Sequence, residues 1–140
     1  MNQKIKWGIA GLGNIAKKFA SDLNLVPEAQ LVAVASSDIH RAESFKKAFN
    51  ANRCYGSYED LFDDPEVVVV YVAGLNNHHK TVALAAIAKG KAVLCEKPLG
   101  LNSGEIKQMI AAANNNQCFL MEALWSRFNP AIQKAKQWAD

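Results

Sequence analysis

One short stretch does most to limit what this chain can fold into. Trp7-Gly8-Ile9-Ala10 is an apolar run that breaks at Gly11-Leu12-Gly13 and resumes with helical spacing from Asn14. The pattern predicts strand, tight turn, helix. Gly11, Gly13 and Ala16 follow G-x-G-x-x-G/A: the first glycine permits the turn, the second lets a pyrophosphate approach the backbone, and small Ala16 allows close helix-sheet packing. Asn14 and Ile15 open the helix. Their backbone N–H groups and the positive end of the helix dipole favour negative charge there without any basic side chain. A glycine-rich turn between a strand and a helix is often only a turn, so its weight depends on the rest of the chain.

Beyond Gly13 the chain alternates regularly between two periodicities. Ile15, Phe19, Leu23 and Val26 recur at helical spacing up to Pro27, predicting a helix over residues 14–25. Residues 31–35 are a continuous apolar run too short for a helix, as expected of a parallel strand covered on both faces. Asp38 is placed to cap a helix that presents Ala42, Phe45, Ala48 and Phe49 on one side. Cys54 and Tyr55 make a minimal third strand, and Ser57 opens a short helical turn through Phe62. Residues 67–73 hold five valines and a tyrosine, the strongest strand in the chain, and its place must be central. A helix over 78–89, a strand over 92–95, a helix after Asn102 and a strand over 119–121 complete the series. Asn129-Pro130 then starts a last helix, cap followed by first-turn proline. Strands alternating with helices across short turns predict an α/β fold: a doubly wound parallel sheet of the Rossmann type, with ligands at the carboxyl ends of the strands.

Composition removes several alternatives. The 140 residues, half of them hydrophobic, suffice for one domain with a sizeable core. Net charge is +3 with lysines scattered among acids, and without a basic run a nucleic-acid partner is not expected. Cys54, Cys95 and Cys118 lie far apart and outside any C-x-x-C pair, which suggests reduced thiols rather than a disulfide framework or zinc site. No apolar stretch approaches a membrane span and the N-terminus is unlike a secretory signal, so the expected setting is cytoplasmic, with no membrane partner.

The residues able to do chemistry follow the strands. Ser36, Ser37 and Asp38 come after the second, Asn76, Asn77, His78 and His79 after the central one, and Glu96-Lys97-Pro98 after the next. An acid at the end of the second strand would bond both ribose hydroxyls and favour NAD, and Asp38 lies near the spacing for that acid. Small Ser36 and Ser37 leave space for a 2′-phosphate that Arg41 can neutralise, and on this balance NADP is expected, with NAD as the alternative. Adjacent histidines invite a metal, but no third ligand stands at plausible spacing, so none is expected.

Three tracts carry a family resemblance: the turn Gly11-x-Gly13-x-x-Ala16, the Glu96-Lys97-Pro98 turn within Val93 to Leu99, and the run from Met121 through Trp125, Arg127 and Phe128 to Pro130. In these the chain resembles the Gfo/Idh/MocA oxidoreductases, named for glucose-fructose oxidoreductase and inositol dehydrogenase. The tract from Trp125 to Pro130 is most similar to the branch containing the dimeric trans-1,2-dihydrodiol dehydrogenases, which oxidise dihydrodiols and some sugars with NADP.

The resemblance implies that Lys97 lies near the nicotinamide and orients the substrate hydroxyl or shuttles its proton; the residue by itself reads as a solvated lysine in a turn. It implies cofactor contact for His79 and places Asn76 and Glu96 beside it. The residues leave other roles open: Asn76 or Asn77 as a helix cap with both histidines solvated, and Glu96 paired with Lys97 or capping backbone. Family members commonly have Thr-Pro-Asn before the histidine that His79 matches, whereas this chain has Gly74-Leu75-Asn76-Asn77-His78-His79. Members of the family carry a second, substrate-binding domain. Residues 1–122 are thus expected to be the dinucleotide-binding domain and 123–140 a linker and helix leading toward a substrate domain absent from this truncated chain. The implied function is the NAD(P) half of an oxidoreductase moving a hydride between cofactor and a sugar-like or dihydrodiol hydroxyl, inactive alone and able to form a homo-oligomer. The alternative is a standalone, non-catalytic dinucleotide-binding or interaction module.

Overall fold

The computed structural model describes residues 4–139. Its elements alternate without exception along the main body: β1 (Ile5–Ala10), α1 (Asn14–Leu23), β2 (Ala29–Ala35), α2 (Ile39–Phe49), β3 (Arg53–Tyr55), α3 (Tyr58–Asp63), β4 (Val69–Val72), α4 (His79–Ala88), β5 (Ala92–Glu96), α5 (Ser103–Asn115) and β6 (Leu120–Ala123). A short 3-10 turn at Trp125–Phe128 leads to α6 (Pro130–Ala139). The six strands form one sheet in the order β3-β2-β1-β4-β5-β6, and every pairing is parallel. The order reverses between β1 and β4, the switch point where such sheets open a crevice for ligands.

Period-two alternation sorts the strand residues between two layers. Ile9, Val34 and Tyr71 face α1 and α2, packing with Ala16, Ala20, Leu23, Ala42 and Phe45. Val70, Val72, Val93 and Cys95 face the other way, against Val82, Ala86, Ile87 and Met109. Burying side chains such as Ile87 and Met109 in full contributes about 1.5–3 kcal/mol each. Burial also pushes the Cys95 thiol up to about 12, helped by the carboxylates of Glu96 and Glu122, so it stays a protonated apolar filler. Ordered pairing of β4 begins at Val69, two residues later than the valine run predicts. Val68 still donates its N–H to Lys6 O at 3.0 Å, while Val67 turns into the core beneath Gly8.

The helix starts follow their local chemistry. Asp38 accepts from the N–H groups of His40 and Arg41 at 3.0 and 3.3 Å, Ser57 from Asp60 at 3.2 Å, and Asn102 from Glu105 at 3.0 Å. The start of α1 has Gly13 in the cap position, no side-chain cap and no acid in its first turn.

Below the opposite edge of the sheet lies a polar cluster. Asp64 takes both prongs of Arg53, at 2.8 and 3.1 Å, and the hydroxyl of Tyr55 at 3.0 Å. The Lys91 ammonium donates to the carbonyls of Asp64 and Val67. Glu66 pairs with Arg53 and Lys6. These bonds tie β1, β3, α3 and the approach to β4 and β5 together at the end away from the ligand crevice.

Candidate functional site

Because the strands are parallel, the loops after β1, β2, β4 and β5 emerge at one edge of the sheet. The glycine turn, Ser36 to Asp38, the loop from Gly74 to His78 and the Glu96-Lys97-Pro98 turn are thereby neighbours. A cavity of about 460 Å³ opens between the first three of these. Gly11, Gly13, Asn14, Ile15, Ser36, Ser37, Arg41 and His79 all line it. Asn76, Glu96 and Lys97 are not among its lining residues.

The two glycines of the turn act differently. Gly11 has φ +93°, and a Cβ there would sit 2.7 Å from Gly74 N, so the close approach of β1's end to β4's end requires glycine. Gly13 has no such constraint: a Cβ would meet nothing within 4 Å. That open volume faces the uncapped start of α1, where backbone N–H groups are free to donate to an anion. A bare helix N-terminus, a bare glycine and a cavity of this size fit the pyrophosphate of a dinucleotide.

At the second strand's end the carboxylate of Asp38 is committed to capping α2, and Asp38 is not in the cavity wall. Ser36 is buried, with its Oγ accepting the Asp38 N–H at 3.2 Å. Ser37 and Arg41 border the space beyond it.

The central loop departs from one expectation. Asn76 and Asn77 enter a 3-10 turn ending at His78, and neither side chain caps α4. That turn swings His79 inward, so it is fully buried rather than solvated. Its Nδ1 lies 2.8 Å from the Pro98 carbonyl oxygen and its Nε2 3.2 Å from that of Gly74. A neutral ring donates to one of these and a protonated ring to both. The ring thus sits between the cavity lip at Gly74 and the turn that carries Lys97, in contact with both.

That turn has further supports that no local pattern reveals. Glu96 is buried, accepts the Tyr71 hydroxyl at 2.6 Å through Oε1, and takes the Lys97 N–H at 3.1 Å through Oε2. Burial, and then the Glu96 carboxylate, push the Tyr71 phenol well above its usual range, so it remains a donor. Glu122 accepts the Leu99 N–H at 2.8 Å from the far side. The Lys97–Pro98 peptide is cis. Two carboxylates and one imidazole thus contact the backbone of the turn, and Lys97 itself is exposed.

A second, apolar groove of about 940 Å³ lies between α1 and the β4–β6 half of the sheet. Trp7, Phe19, Leu94, Met121, Trp125 and Phe128 are among the residues around it, with Glu96 and Tyr71 at its floor. Phe19 stacks on Tyr71 at 3.8 Å between centroids. Among the described residues no helix is long and apolar enough to cross a membrane.

Known proteins share this arrangement. The family model for the Gfo/Idh/MocA oxidoreductases, described as an oxidoreductase family with an NAD-binding Rossmann fold, matches residues 5–124. The trans-1,2-dihydrobenzene-1,2-diol dehydrogenase of Mus musculus is 47% identical over 135 residues, 95% of this chain and 40% of that protein. The Homo sapiens protein of the same name is 44% identical over 131 residues, 92% of this chain and 39% of its own length. This chain therefore spans about 40% of the length of the curated relatives it matches. Among solved structures, an NAD binding oxidoreductase from Klebsiella pneumoniae superposes with a TM-score of 0.89 at 33% identity, covering 96% of this chain and 38% of that one. The 3-ketoreductase KijD10 of Actinomadura kijaniata, in complex with NADP and TDP-benzene, gives 0.94 at 27% identity over 99% of this chain and 42% of that one. With its glycine turn, parallel sheet and crevice in place, the chain belongs to the Gfo/Idh/MocA oxidoreductase family and carries that family's NAD-binding Rossmann domain.

Proposed function

We propose that this chain is the NADP-preferring half of an oxidoreductase acting on a sugar-like or dihydrodiol hydroxyl, with Lys97 as its catalytic residue. The observation that carries the reading is the place of His79, buried between the lip of the dinucleotide cavity at Gly74 and the Pro98 carbonyl of the Lys97 turn. The substrate class is suggested by the dihydrodiol dehydrogenases at 47% and 44% identity.

The chain's residues divide the work. Gly13 and the free N–H groups at the start of α1 hold the pyrophosphate. Ser36, Ser37 and Arg41 receive the adenosine ribose and its 2′-phosphate, a place from which Asp38 has been withdrawn by its cap bonds. When bound, the dinucleotide supplies a hydride acceptor or donor. In the oxidising direction a neutral Lys97 Nζ would take the hydroxyl proton as the hydride leaves. In the reducing direction its ammonium would stabilise negative charge at the reacting oxygen and give it a proton. Glu96, at the Lys97 N–H, and Glu122, at the Leu99 N–H, position Lys97 through the backbone of its turn rather than by touching substrate. Two buried groups, Glu96 and His79, supporting the turn under one exposed lysine favour a catalytic role for it over a purely binding module.

Calorimetric titration tests the cofactor half. Gly13→Val should weaken NADP binding about 100-fold or more by occupying the phosphate's approach. Melting should fall only modestly, since a Cβ at Gly13 meets no protein atom within 4 Å and the cost is that of a poorer N-cap for α1. Equal affinity in both proteins would overturn the phosphate site.

A further inference from the structure

The chain has three tyrosines, and two have clear partners for their hydroxyls: Tyr55 donates to Asp64 at 3.0 Å and Tyr71 to Glu96 at 2.6 Å. The Tyr58 hydroxyl has no hydrogen-bond partner among the described residues. Tyr58 is half-buried at the first position of α3 and lines the dinucleotide cavity together with Ser36, Ser37 and Arg41. Packing explains why it is there. At Gly56 a Cβ would lie only 3.6 Å from the Ile39 Cβ, so the loop between β3 and α3 rests on the first turn of α2, the turn that carries Arg41. Phe62, 6.5 Å away between ring centroids, supports the Tyr58 ring from one helical turn further on. Burial raises the phenol's pKa while the Arg41 cation opposes the rise, which places the hydroxyl within that guanidinium's field and keeps it a protonated donor at neutral pH.

A neutral donor and a cation lining one cavity from two elements, with two serines beside them, form a pocket for a compact anion with several acceptor oxygens. A ribose diol would call instead for a carboxylate, and that of Asp38 is occupied by the α2 cap. The geometry points to Tyr58 as a second anchor, beside Arg41, for the phosphate on the adenosine ribose of NADP, and so as a specificity-determining residue. This assignment rests on the dinucleotide reading above and names a group in it that the sequence patterns do not single out.

Titration of the chain and its Tyr58→Phe variant with NADP, NAD and 2′,5′-ADP tests it. The variant keeps the ring and removes only the hydroxyl. NADP and 2′,5′-ADP should each bind roughly tenfold more weakly, as for loss of a hydrogen bond to a charged group, while NAD affinity stays within about twofold. Unchanged NADP affinity, or an equal loss for NAD and NADP, overturns the role of Tyr58 and leaves the cofactor site standing. Wild-type chain that binds neither dinucleotide, or binds NAD more tightly than NADP, overturns the NADP reading itself and the anchor with it.

Discussion

Replacing Asp64 with alanine is expected to lower the free energy of unfolding by about 3 kcal/mol, the lower end of the range for removing one partner of a buried ion pair. The Asp64 side chain is 2% exposed and accepts from Arg53 twice, from the Tyr55 hydroxyl and from the Glu66 N–H. Its loss strands the Tyr55 donor and takes a counter-charge from the buried Lys91 ammonium, whose pKa burial already lowers. Arg53 retains Glu66, which keeps the cost from reaching the upper end. Burial by itself would raise the Asp64 pKa, but its hydrogen bonds, first those from Arg53, together hold it below the usual aspartate value. A carboxyl depressed in the fold contributes stability above its unfolded pKa of about 4, and that stability is lost as pH falls through the native value. Urea unfolding should therefore show the largest gap between wild type and Asp64→Ala at neutral pH, narrowing below about pH 4. A neutral-pH gap under about 1 kcal/mol, the size typical of exposed pairs, would mean that water already serves this cluster.

How much of this molecule can be read in its sequence depends on the range of the interaction concerned. Local signals are faithful: the caps Asp38, Ser57 and Asn102 start the helices predicted for them, and the short apolar runs become parallel strands in one sheet. The glycine turn is recognisable from its own few residues, yet its φ of +93° at Gly11 answers to a neighbour, Gly74, that follows another strand. Expectations lose accuracy where a side chain's surroundings are set by the fold. His79 reads equally well as a solvated first-turn residue or a cofactor contact, because burial there depends on a 3-10 turn over Asn76–His78 that no periodicity announces. For Glu96 the sequence leaves two roles open, and its principal partner is Tyr71, 25 residues earlier and on another strand. Glu122 and Tyr58 give no local sign of a place at the site, for the same reason. An acid just past a strand pattern, or an aromatic just after a helix cap, acquires meaning only when the parallel register brings the strand ends together. Asp38 shows the converse: its spacing suits a ribose-binding acid, but the nearer claim of two backbone N–H groups at 3.0 and 3.3 Å prevails.

The largest effect expected is on turnover. Given NADP and a panel of dihydrodiols and sugars, the 140-residue chain should bind cofactor yet turn over far more slowly than ordinary enzymes, whose median rate is about 10 per second. The backbone of the Lys97 turn is held by Glu96, Glu122 and His79, so the turn that carries the lysine is fixed. What the described residues do not provide is a wall facing it. Lys97 and Pro98 are exposed, and the nearby aromatics Trp125 and Phe128 stand 67% and 60% open rather than closing over a substrate. Holding the reacting carbon in near-attack geometry can account for roughly 7–11 kcal/mol of barrier lowering, and one exposed ammonium cannot replace it. Water at the open edge also weakens the charge stabilisation Lys97 can offer, because an ion pair or developing alkoxide is screened there as in solvent. Steady-state assays decide the matter. Turnover at about one per second or faster, abolished by Lys97→Ala, would show that these residues orient substrate by themselves and that the exposed face around Trp125 and Phe128 is already part of a working active site.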